Sequence, residues 1–125
     1  MSKEPKKLPI RIDSSDGELG LVIDERFWKI KKDARTNANI RKIAEITDAR
    51  TKAIKTDSTE LQILDAHESF ARDILNITVE GLDFDKEAES PAMGIGALQF
   101  GANAVYTFLV GQGGQQFLLS LGNQR

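Results

Sequence analysis

The chain has 125 residues, enough for one domain that buries roughly two-thirds of the surface its unfolded form would expose. Its composition, 40% hydrophobic and 29% charged with a formal net charge of -2, fits a globular protein and excludes wholesale disorder. The absence of cysteine excludes disulfides, thiolate nucleophiles and thiolate metal sites. With a single histidine, His67, the sequence predicts no catalytic residue, no metal site and no cofactor, and therefore a protein that is not an enzyme.

Charge is divided unevenly along the chain. Residues 1–55 carry 14 basic and 9 acidic side chains, whereas residues 56–125 carry 3 basic and 10 acidic ones. Between Ser90 and Gln124 there is no charged side chain, and this region holds four of the eight aromatic residues. A chain polarised in this way presents its two ends to different partners, or one end to a copy of itself.

The chain begins with a predicted arm and a predicted hairpin. Residues 1–7 are polar and show no apolar periodicity, which indicates a mobile arm ahead of a single domain over residues 8–125. Alternating apolar residues over positions 10–23, interrupted by Asp16-Gly17, predict a β-hairpin with a tight turn. A lone hairpin is only marginally stable, so we expect it to lie against helices or a neighbouring subunit.

Two helices are predicted next. Asp24 has the side chain of an N-cap, and we expect it to start a short helix that carries Phe27, Trp28 and Ile30 and ends near residue 36. A second helix is expected over residues 39–55, where Ile40 and other apolar residues recur at helical spacing.

The second half of the chain is expected to be helical. Residues 59–80 give the strongest amphipathic pattern, and Gly81 is placed to end that helix. An acidic linker follows over residues 82–89; it lacks the glycine and glutamate of a calcium-binding loop. Ser90-Pro91 then predicts the start of a last helix that runs to about Val110. The fold class expected from these elements is mainly α, a helical domain with a short N-terminal β-hairpin.

The uncharged, apolar region over residues 90–124 is the most informative stretch. Residues 91–110 have the length of a bilayer span, but polar residues, glycines and the lack of flanking basic residues favour a buried helix shared between the core and an oligomer contact. Small residues recur on one face of that helix and would permit close helix–helix approach. The predicted client or oligomer contacts are Gly94, Ile95, Leu98, Phe100, Gly101, Val105, Phe108, Leu109, Phe117 and Leu118.

A basic segment over residues 26–55 offers a second interpretation. Its side chains could contact phosphates of a nucleic acid, although the acidic isoelectric point of about 5.4 and the lack of a recognition-helix motif favour a solvated helix face. The candidate phosphate contacts are Lys29, Lys31, Lys32, Arg35, Arg41 and Lys42.

The order of these features, a hairpin over residues 10–23, a helix over residues 59–80 and an acidic linker before an apolar end, resembles the small tail assembly chaperones of long-tailed bacteriophages and related prophage elements. That resemblance implies a self-associating, non-enzymatic assembly protein in the cytoplasm of an infected or lysogenic bacterial host. Its client would be an apolar helical protein such as the tape measure protein. The alternative is a nucleic-acid-associated or structural virion component that uses the basic segment.

Overall fold

The computed structural model describes residues 8–91 and 93–110. In these residues a three-stranded antiparallel sheet is followed by four helices. The expected mainly α class with a single hairpin is therefore wrong, because the layout is mixed α/β. The elements are β1 (Ile10–Ser15), β2 (Glu18–Ile23), β3 (Arg26–Lys29), α1 (Asn37–Ala53), α2 (Glu60–Thr78), α3 (Phe84–Ala88) and α4 (Gly94–Val110).

The predicted hairpin is confirmed, and a third strand extends it. β1 pairs with β2 around the Asp16-Gly17 turn, where both turn residues have positive φ. The chain turns again at Asp24 and Glu25, with φ of 48° and 68°, and returns as β3. The helix expected to start at Asp24 is therefore wrong, since these two left-handed residues make a second tight turn instead of an N-cap.

The far edge of β3 is closed by the end of α2. The amide of Lys31 donates to the carbonyl of Thr78, and the amide of Glu80 donates to the carbonyl of Lys29, both at 2.8 Å. These bonds flank an isolated bridge that joins the chain after β3 to the residue after α2. In the described part of the chain, β1 is thus the edge of the sheet with a strand on one side only.

Helices α1 and α2 confirm the two central helices predicted from apolar periodicity. Thr36 caps α1, and Thr59 caps α2 in a reciprocal arrangement with Gln62. Asn39 in the first turn of α1 is buried, and its Nδ2 donates to the carbonyls of Ala34 at 3.0 Å and Ile77 at 3.4 Å. This amide ties α1 to the end of α2.

The acidic linker contains a helix that the sequence pattern did not predict. The short helix α3 buries Phe84 and Glu87, and the Glu87 carboxylate accepts two hydrogen bonds from the guanidinium of Arg26, at 2.7 and 2.8 Å. The Arg26 guanidinium also stacks over the Trp28 ring, 4.6 Å from its centre. This pair joins α3 to β3, so the linker is part of the folded structure.

Helix α4 is the central element of the core. It begins at Gly94 instead of Pro91 and ends at Val110 as expected. It packs against β1, β2, α2 and α3, and its buried residues join one continuous apolar cluster. Among the described residues, no helix is long and apolar enough to cross a bilayer.

Candidate functional site

The residues of α4 that were predicted to contact a client or a second copy divide into two groups. Leu98, Gly101, Val105 and Leu109 are buried in the core. Gly94, Ile95 and Phe108 are half-buried, and Phe100 is 68% exposed. Only the second group is available to a partner. Phe117 and Leu118, like the predicted arm over residues 1–7, lie outside the described residues.

Gly101, on the small-residue face of α4, lies against the sheet of the same chain. A Cβ on Gly101 would stand 3.1 Å from Ile23 Cδ1 and 3.2 Å from Leu21 Cδ2, both in β2. At Gly101, the close neighbour of the helix is therefore a strand of the same chain.

An apolar groove lies between β1 and α4. It has a volume of about 600 Å³ and is open to solvent along its length. Leu8, just ahead of β1, is 70% exposed, and Phe100 on α4 is almost as exposed. Ile10 and Ile12 are half-buried at its base. The residues that line it are Leu8, Pro9, Ile10, Arg11, Ile12, Phe100, Asn103, Ala104, Thr107 and Phe108.

Two exposed large apolar side chains that share one groove indicate a contact surface, because isolated surface apolar residues are common but contiguous ones are not. Phe100 and Phe108 were predicted as contacts from the sequence. Leu8, Ile10 and Ile12 were not, although the alternation in the hairpin already placed both isoleucines on one face of β1.

Among the described residues, the backbone of β1 adds an edge without a second neighbouring strand to the groove. Ser15 and Glu18 flank the two-residue turn, and the amide of Asp24 donates to the carbonyl of Pro9 at 2.8 Å. These two pairs are hydrogen-bonded pairs, and such pairs alternate along an antiparallel ladder with pairs that are not hydrogen-bonded. Ile10 and Ile12 occupy the positions that are not hydrogen-bonded to β2, so their backbone amides and carbonyls point away from it. Such an edge can accept a further strand.

The candidate phosphate contacts are brought only partly together. Lys29, Lys31, Lys32 and Arg35 line a depression of about 320 Å³ beside Phe108, whereas Arg41 and Lys42 are exposed on α1 and do not line it.

Three of the four cations in this depression already have partners. Lys29 Nζ lies 2.7 Å from Glu18 Oε2, and this hydrogen bond raises the pKa of the lysine. Lys31 Nζ donates to the carbonyl of Asn76 at 2.7 Å. The Arg35 guanidinium stacks over Phe108, 4.4 Å from the ring centre. The depression is cationic, but most of its charge is engaged within the chain.

Side chains that could bind a metal ion do not converge in the described part of the chain. His67 is half-buried on α2, and its neighbour Glu68 pairs with Arg72 at 3.2 Å. Within residues 8–91 and 93–110, no group of three or more histidine, aspartate or glutamate side chains is placed to hold a metal ion.

Comparison with known protein families, with curated proteins and with solved structures finds no significant match to this chain.

Proposed function

We propose that this protein is a non-enzymatic protein-binding module whose groove between β1 and α4 takes an apolar segment of a partner. The observation that carries the proposal is the pair of strongly exposed apolar side chains, Leu8 and Phe100, over a floor of half-buried isoleucines. A partner that covers them removes apolar surface from water at about 25 cal/mol per Å².

The chemistry of the groove favours an apolar helix or strand as the ligand. Its lining is apolar except for Arg11, Asn103 and Thr107, and the guanidinium of Arg11 is engaged with Asp13 and with the carbonyl of Leu8. The resemblance to tail assembly chaperones gives the proposal its specific form. In that form the protein shields an apolar helical client, such as a tape measure protein, in the cytoplasm of a bacterial host, and a second copy of the chain competes for the same groove.

A direct test uses a fluorescently labelled, leucine-rich amphipathic peptide as a model client. Phe100→Asp should weaken peptide binding at least tenfold, equivalent to about 1.4 kcal/mol, because it replaces an exposed apolar side chain of the groove with a charge. Leu61→Asp is the matched control, since Leu61 is 66% exposed but lies on α2 away from the groove. Fluorescence anisotropy gives both affinities. Equal binding by wild type and Phe100→Asp, or no binding by wild type, would reject the proposal.

The basic depression supports a second candidate, binding of a phosphate-bearing polymer by Lys29, Lys31, Lys32 and Arg35. The observation in its favour is that four of the six candidate cations line one depression. A strong fall in polynucleotide affinity with rising salt would support this candidate. Affinity for the peptide but none for polynucleotide would exclude it. We prefer the groove because no side chain covers Leu8 and Phe100 in the described part of the chain. In contrast, three of the four cations in the depression already contact partners within the chain.

A further inference from the structure

The outer edge of β1 is able to pair with a second copy of itself. Among the described residues, β1 has a strand on one side only, and the backbone groups of Ile10, Ile12 and Ser14 point away from that strand. Two identical strands can pair antiparallel about a two-fold axis, so that the residue on the axis lies opposite itself. The register of the pair is decided by which residue of β1 occupies the axis.

The charges of β1 disfavour the neighbouring registers. With Arg11 on the axis, two guanidinium groups would lie opposite each other, and with Asp13 on the axis, two carboxylates would. Like charges directly opposite one another destabilise a pair of strands. With Ile10 on the axis, Arg11 would lie opposite Pro9 and would gain no ionic partner.

A register centred on Ile12 makes the charges complementary. Arg11 of each copy then lies opposite Asp13 of the other. These two side chains already form an ion pair within the chain, with Arg11 Nε 3.0 Å from Asp13 Oδ2, so pairing joins two ion pairs into one network. The same register places the outward backbone groups of Ile10 opposite those of Ser14. The amide of Ser14, which donates to Asp13 Oδ1 at 2.8 Å, then has the carbonyl of Ile10 as its partner in the ladder.

This axis also brings the two grooves together. The side chains of α4 that line the groove are Phe100, Asn103, Ala104, Thr107 and Phe108. Gly101 lies against Ile23, whereas Phe108 shares a depression with Glu18, so α4 runs antiparallel to β2 and parallel to β1. The axis stands perpendicular to the paired sheet, so both copies of α4 lie on the same face of it and run antiparallel to each other. The exposed Phe100 at the start of one lining stripe therefore lies near the end of the other.

We propose that two copies of this chain associate by antiparallel pairing of β1 about Ile12, so that the groove of each copy is covered by the groove of the other. Pairing gives the outward backbone groups of β1 hydrogen-bond partners and removes Phe100 of both copies from water. The inference rests on the proposed function of the groove and deepens it, because it names the second copy as the resident partner that an apolar client must displace.

Charge reversal tests the register. Arg11→Asp places carboxylates opposite each other, and Asp13→Arg places guanidinium groups opposite each other. Two-fold symmetry repeats each change, so either full-length variant alone should self-associate about tenfold more weakly than wild type. In an equimolar mixture of the two variants opposite charges face each other again, and association should recover. Neither variant restores the ion pair within its own chain, so recovery reports on contact between copies.

Sedimentation velocity at micromolar to millimolar concentrations measures this association. The matched control is Lys42→Asp, which makes the same charge change on the exposed surface of α1 and should associate like wild type.

The backbone amide of Ile12 gives a second measurement, on wild type alone. It points to the outer edge of β1, whereas the amide of Arg11 points to β2 and serves as an internal control. In hydrogen exchange followed by NMR, the protection of Ile12 should rise with protein concentration, in step with the paired fraction. The protection of Arg11 should change little. This measurement decides even if a charge-reversed variant does not fold.

Several results would overturn the pairing. Wild type could remain at 13.8 kDa up to millimolar concentration, or the protection of Ile12 could be independent of concentration. Each variant could associate as tightly as wild type, or their mixture no more tightly than either alone. A wild type that does not pair but binds the labelled peptide would reject the pairing and leave the proposed function standing. A wild type that pairs but binds no peptide at any peptide concentration would do the reverse.

Discussion

Replacing Gly101 with leucine tests whether the small-residue face of α4 serves the core or an assembly. A Cβ at this position would already lie 3.1–3.2 Å from methyl groups of Ile23 and Leu21, closer than the 3.5–4.0 Å of favourable carbon contacts. Both neighbours are fully buried, so they cannot move aside into solvent, and leucine adds three more carbon atoms. Overpacking of this kind costs about 1–3 kcal/mol. At about 4 °C per kcal/mol, Tm should fall by about 4–12 °C.

The matched control is Gly96→Leu on the same helix. Gly96 is exposed, and a Cβ there would have no neighbouring heavy atom within 4 Å. Because leucine favours a helix over glycine by up to about 1 kcal/mol, this variant should melt at or above the wild-type temperature. Thermal melting is paired with light scattering, and Gly101→Leu should leave the assembly state unchanged. Dissociation of oligomers by Gly101→Leu with an unaltered melt would refute the packing of α4 on β2.

Two further substitutions probe buried polar contacts through urea unfolding. Asn39→Ala leaves two backbone carbonyls without their donor and should lower the unfolding free energy by about 1–3 kcal/mol, whereas Asn37→Ala, exposed in the same turn, should change it little. Glu87→Gln should destabilise the protein at neutral pH, because the hydrogen bonds from Arg26 hold the pKa of this carboxyl below its ordinary value. The stabilisation by Glu87 is complete above the ordinary pKa of a glutamate and is lost as pH falls through the lowered pKa of the folded protein. The unfolding free energies of wild type and Glu87→Gln should therefore converge in acid. Glu89→Gln, a substitution at an exposed neighbour, should have the same unfolding free energy as wild type at every pH. If the loss of unfolding free energy in Glu87→Gln does not become smaller in acid, the ion pair between Arg26 and Glu87 is contradicted.

Local sequence patterns were sufficient to predict several of the helices and strands. Alternation around Asp16-Gly17 predicted the hairpin, apolar periodicity predicted α1 and α2, and the Ser90-Pro91 start signal predicted most of α4. Each of these patterns is contained within a short stretch of sequence. The third strand was missed because its turn is formed by Asp24 and Glu25, neither of which carries the glycine signal for positive φ. β3 is instead held by contacts with β2 and with the end of α2, which is distant in sequence.

Only part of the candidate site could be predicted from the sequence. The uncharged composition of α4 predicted Phe100 and Phe108 as contact residues. It predicted the buried residues Leu98 and Val105 in the same way, because composition does not distinguish exposed from buried side chains. Which face of an almost wholly apolar helix reaches solvent depends on where the sheet packs, and periodicity within the helix does not contain that information. In the tertiary structure β2 packs against Gly101, and β1 lies beside Phe100. The groove forms because this packing brings β1 and α4, which are distant in sequence, next to each other.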